Sequence, residues 1–151
     1  MDDAGTGATG APGTNGTNGT NGGGVILTGG AKGNITAGFF QGLGNLNNAS
    51  ATETESEFVV PRSGTLRNFY VYLQVGTVLA STETFTVRVG NMGGALTDTT
   101  IKCTSPTTAA TTTTISCSDT THSASITAGQ TLTVSASVTT GKQIWFEIQL
   151  D

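Results

Sequence analysis

The sequence predicts an all-β protein, a jelly-roll-like β-sandwich of about eight strands preceded by a short collagen-like Gly-X-Y segment. Three observations predict it. Glycine recurs at every third position near the N-terminus. β-Branched and aromatic residues alternate with polar ones through the remainder. No window carries the Ala, Leu, Glu, Lys and Arg runs that long helices need. Charged residues make up 11% of the 151, and the hydrophobic 35% is concentrated after Phe58, where a sandwich core could be buried. The composition shift places a boundary after residue 24, with 1–24 as stalk or connector and 25–151 as the β-sandwich head.

From Gly7 the chain runs Gly-Ala-Thr, Gly-Ala-Pro, then Gly-Thr-Asn repeated, so Gly7, Gly10, Gly13, Gly16, Gly19 and Gly22 share one phase. A three-chain polyproline-II helix requires this phase, because only a hydrogen side chain fits at its axis. About 18 residues at ~3.1 Å each would span roughly 55 Å. Pro12 alone pre-organises the segment, so its order is expected to depend on association of the heads, which raises the effective concentration of the three chains. A flexible Gly/Thr/Asn linker is the competing reading.

The strands follow in order. Val25-Ile26-Leu27-Thr28 is a short apolar run leaving the glycines, residues 33–44 read as irregular loop or short strand, and 45–54 as loop. Glu57-Phe58-Val59-Val60 meets Pro61, which ends a strand or places it at an edge. Between Gly64 and Val75 the alternation sets Phe69, Val71, Leu73 and Val75 on one face and Asn68, Tyr70, Tyr72 and Gln74 on the other. Strands are also expected over 82–90, 95–103, 123–128 and 131–138, with a turn at Asn91-Met92-Gly93-Gly94. In the last strand, from Gln143, the residues Ile144, Phe146, Ile148 and Leu150 point inward. Turn signals at regular spacing between such runs read as a sandwich.

Cys103 and Cys117 are the two cysteines, each two residues after an isoleucine in a β-like stretch, with Thr104-Ser105-Pro106 and a threonine run between them. That pattern suggests a hairpin with a cross-strand disulfide, worth roughly 3 kcal/mol for a loop of this size. Two buried thiols are the alternative. Two sulfurs and one distant histidine make no zinc set, and no cofactor is expected.

A net charge of −4 and singly scattered basic residues argue against nucleic acid as a partner. No apolar run approaches the roughly 20 residues of a membrane-spanning helix, so no membrane insertion is expected. Met1-Asp2-Asp3-Ala4 lacks the basic and apolar regions of a secretory signal. A removed leader, a longer natural protein and release by lysis all stay open.

Candidate sites are few. His122 lies near Ser118 and Asp119, but neither Ser116 nor Ser118 has a nucleophile-elbow context, so a loop histidine is expected. Glu53, Glu55 and Glu57 alternate and would share one face of a strand, as a charged edge that discourages aggregation or, less simply, as calcium ligands. No metal site or catalytic residue is assigned. Trp145, Tyr70 and Tyr72 face away from the expected core, as subunit-interface anchors or as stacking platforms for sugar rings. Asn15, Asn18, Asn34 and Asn48 match the N-glycosylation pattern, in a chain rich enough in Asn, Ser and Thr for chance matches.

The stalk Gly7–Gly24, the stretch Phe58-Val59-Val60-Pro61-Arg62-Ser63-Gly64-Thr65-Leu66-Arg67-Asn68, and Cys117-Ser118-Asp119-Thr120-Thr121 with Ala128-Gly129-Gln130 carry a resemblance. Together they resemble bacterial or phage collagen-like fibre proteins of spore surfaces, appendages and tail fibres, which end in trimeric jelly-roll heads of the C1q and tumour-necrosis-factor type. The resemblance implies a non-enzymatic structural subunit that trimerises through its head at a cell, spore or virion surface, with O-glycans possible on the stalk threonines. It also leaves room for head-to-tail filaments, and for an adhesin or tail-fibre tip that binds surface glycans.

Overall fold

A computed structural model describes residues 24–35, 40–42, 50, 52–111, 113–137 and 141–151, except for the side chains of 33–35, 40–42, 141 and 142. The strands are β1 (Val25–Ile35), β2 (Phe40–Gly42), β3 (Phe58–Val59), β4 (Gly64–Val75), β5 (Thr84–Asn91), β6 (Thr97–Thr104), β7 (Thr113–Asp119), β8 (Ala124–Ile126), β9 (Gln130–Ala136) and β10 (Gly141–Leu150). A 3-10 turn, Glu53–Glu55, precedes β3.

Two antiparallel sheets face each other. Sheet A runs β1-β10-β4-β7 with β8 also on β4, and sheet B runs β2-β9-β5-β6 with β3 also on β9. β7 and β8 lie end to end along the same side of β4, pairing Phe69–Val75 and Gly64–Leu66 respectively. β2 and β3 share one side of β9 in the same way. Ten strands therefore fill eight lanes, four in each sheet. With each interrupted lane counted once, the chain crosses between sheets in the order of a jelly roll.

The core follows from alternation. Phe69, Val71, Leu73 and Val75 of β4, Phe85 and Val87 of β5, Leu132 and Val134 of β9, and Ile144, Phe146, Ile148 and Leu150 of β10 are all buried. Each such side chain contributes about 1.5–3 kcal/mol by leaving water. Leu66 is buried too, three residues before Phe69, which strict alternation forbids. The register against β10 shifts there, and Asn68 takes φ 52°. This is a β-bulge in which Asn, one of the few residues that tolerates the left-handed region, absorbs the extra position. Its side-chain amide donates to Gln149 Oε1 at 2.7 Å.

Three expectations are corrected. The first strand does not stop at Thr28 but continues through Gly29-Gly30 to Ile35. A Cβ at Gly30 would fall 2.1 Å from the Ile144 carbonyl oxygen, so here glycine permits close strand approach where it suggested an end. The cysteines are not on a hairpin: Cys103 sits in β6 of sheet B and Cys117 in β7 of sheet A, so their disulfide ties the two sheets together. The chain between them instead pairs with a distant segment, where Leu79 and Thr108 exchange hydrogen bonds at 2.9 and 3.0 Å. Lastly, Glu53, Glu55 and Glu57 do not alternate along a strand, because the 3-10 turn points them apart.

Candidate interaction surface

Sheet A presents an outer face on which side chains from four strands meet in rows. In one row Trp145 of β10 stands between Gly30 of β1 and Tyr72 of β4, and Ser116 of β7 lies beyond Tyr72. In the next row Glu147 stands between Thr28 and Tyr70, with Ser118 beyond. Directly opposed residues on adjacent strands have Cβ atoms about 4.5–5.5 Å apart, so the three aromatic residues form one patch with Glu147 beside it. Relative exposures are 36% for Trp145, 40% for Tyr72 and 37% for Tyr70. Gly30, itself buried, adds no side chain beside the indole. Gln143 and Gln74 border the patch on one side, and on the other Ile26, 55% exposed, pairs in register with Gln149.

The structure thus places Trp145, Tyr70 and Tyr72 on one face and brings them together. Sequence reasoning passed over Ile26 and Glu147. The signal available for them was parity: both share the outward phase of their strands, but their place beside the aromatic residues depends on register.

The remaining candidates serve local structure. Asp119 ends β7 almost fully buried, and its carboxylate accepts the backbone N–H groups of Lys102, Thr121 and His122 at 3.0, 3.1 and 3.1 Å. His122 Nδ1 lies 2.9 Å from Oδ2 and Thr121 Oγ1 3.1 Å from Oδ1. Burial by itself raises the carboxyl pKa, but the donors from His122, Lys102 and Thr121 outweigh it and hold Asp119 well below the usual carboxylate range. This corner turns the chain from β7 into β8 and, through Lys102, ties it to β6. Ser116 and Ser118 pair with Tyr72 and Tyr70 on the outer face, and no hydrogen bond among the described residues joins either to His122.

Glu53 pairs with Arg88 Nε of β5 at 2.7 Å, Glu55 accepts from the Ser50 hydroxyl, and Glu57 accepts the Gly93 N–H at 3.0 Å. Each carboxylate therefore has its own partner. Among the described residues no group of three or more His, Cys, Asp or Glu is placed to hold a metal. Asn34 lies in β1, whereas Asn15, Asn18, Asn48 and the glycine-phased stalk (Gly7, Gly10, Gly13, Gly16, Gly19 and Gly22) lie outside the described residues.

No protein-family model and no curated protein matches the chain. Among solved structures it is similar to Eiger TNF from S. frugiperda, at 12% identity and a TM-score of 0.43, over 83% of this chain and 93% of that one.

Proposed function

We propose that this chain is a non-catalytic structural subunit that assembles as a homotrimer through the outer face of sheet A. Its glycine-phased N-terminus serves as stalk or connector in an extracellular fibre or appendage. The observation that carries this reading is the patch of Trp145, Tyr72 and Tyr70, half-buried and gathered on one open sheet face. Aromatic side chains of this kind are the usual anchors of protein interfaces, and each contributes on the order of 2 kcal/mol or more once enclosed. The number three comes from the sequence, since a Gly-X-Y segment is stable only when three chains share its axis. The disulfide supports an oxidising setting, at a cell, spore or virion surface.

Linking of trimers head to tail is the finer form of the same proposal. β1 pairs with β10 of its own chain, and its other side is the edge of sheet A, where a strand from a neighbouring unit would add. Electron microscopy at high protein concentration tests this, and discrete particles throughout would exclude it.

Sedimentation of the full chain and of a chain lacking 1–24 tests the trimer. Three-chain mass is expected for both, and a monomeric full chain would overturn the reading. A glycan-stacking role is the second reading, favoured by the polar border of Gln143, Gln74, Ser116 and Ser118 around the rings. Glycan-array binding that disappears in Trp145→Ala would support it over self-association.

A further inference from the structure

The aromatic patch has a charge set into it. Glu147 is exposed, lies one row from Trp145 and opposite Tyr70, and forms no ion pair or hydrogen bond among the described residues. Its neighbours in the row, Thr28, Tyr70 and Ser118, carry no charge. If this face is enclosed between copies, as proposed above, an unpaired carboxylate there opposes association, because removing a charge from water without a partner costs several kcal/mol. A cation supplied by the facing copy would offset that cost.

The basic residues described on this face are Lys32 and Arg67. Arg67 is already engaged by the Asp151 carboxylate. Lys32 lies on β1, the edge strand, exposed and opposite Gln143, and no described acidic group pairs with it. Four residues of β10, about 13 Å at ~3.3 Å per residue, separate the row of Lys32 from the row of Glu147, with the Gly30–Trp145 row between them. Within one chain the two charges stand apart. One marks the rim of the face and the other its interior, as an edge-on-face contact of the heterologous kind requires.

We infer that Lys32 of one copy pairs with Glu147 of the next around the trimer, so that each chain supplies the edge cation to one neighbour and the interior carboxylate to the other. This inference rests on the self-association proposed above and deepens it. The pair would fix which part of the face meets which, with the aromatic residues supplying the area.

Charge exchange tests it. In sedimentation equilibrium, Lys32→Glu and Glu147→Lys should each raise the concentration at which trimers dissociate by at least about 30-fold, since breaking an enclosed pair costs about 2 kcal/mol or more. The double variant should recover most of that loss. Both positions are exposed, and unchanged near-ultraviolet circular dichroism of the single variants shows that the fold survives. Single variants that stay trimeric at wild-type concentrations, or a double variant no better than the singles, would overturn the pairing and leave the trimer standing. A wild-type chain that is monomeric throughout would overturn both.

Discussion

The outer faces of the two sheets are made of similar pleated strands and finished in opposite ways. On sheet B, β5 and β9 turn out Thr84, Thr86, Arg88, Thr131, Thr133 and Ser135. Thr131 and Thr133 are nonetheless fully buried, and Arg88 is held by Glu53 of the 3-10 turn and by Asp98, while also donating to the Leu96 carbonyl. That face is satisfied from within the chain. Sheet A turns out Trp145, Tyr72, Tyr70 and Ile26, with Glu147 left without a partner among the described residues. One face closes on itself with polar contacts, while the other leaves apolar area and a charge exposed. The proposed assembly rests on this difference.

The largest expected effect comes from removing what distinguishes sheet A. Trp145→Ala with Tyr72→Ala should convert trimers to monomers in sedimentation, a loss on the order of 4 kcal/mol from two anchors, with little change in the unfolding of the head itself. Thr86→Ala on sheet B should change neither. Persistence of the trimer in the aromatic double variant would break the comparison.

Next is the seam between the sheets. Cys103→Ser with Cys117→Ser should lower head stability by about 3 kcal/mol in denaturant unfolding. The bridge crosses between β6 and β7, so hydrogen exchange should rise at those two strands first.

Acid should act on the same seam through Asp119. Its carboxyl is more acidic folded than the 3.8 of an unperturbed group, so its contribution is fully present above that value. As pH falls below about 4 the unfolded chain takes up the proton first, and stability declines continuously toward the lower folded value. Asp119→Asn should be less stable at neutral pH, and its stability should fall less steeply below pH 4 than the wild type's. Parallel profiles would show that other carboxylates govern the acid limb.

The smallest effect sharpens the comparison from the other side. Arg88→Ala should leave the sedimented mass unchanged while speeding amide exchange over 53–57, because it removes the partner of Glu53.

Much of the fold was legible. The faces of β4 and β10 could be assigned because side-chain direction alternates at every residue, and burial of one face imposes apolar residues at every second position. The same rule marked Trp145, Tyr70 and Tyr72 as outward. It failed at Asn68, where a bulge resets the phase, and after Thr28, where the strand continues through Gly29-Gly30 with no apolar side chain to mark it. It also misassigned the cysteines: proximity in sequence suggested a hairpin, but a short chain segment can as well carry a strand from one sheet to the other. The three glutamates read as one charged edge until the turn and the positions of Arg88 and Gly93 separated them.

By itself the sequence determined the β class, the inward and outward faces and the availability of a cysteine pair, because each is set by spacing along the chain. Only the tertiary structure decided that the disulfide joins two sheets, that Asp119 holds β6 to β7, that Glu53 covers Arg88, and that Trp145, Tyr72, Tyr70 and Glu147 share one open face. Those are matters of register between strands far apart in sequence, and register is fixed by the packing of the whole core rather than by any local pattern.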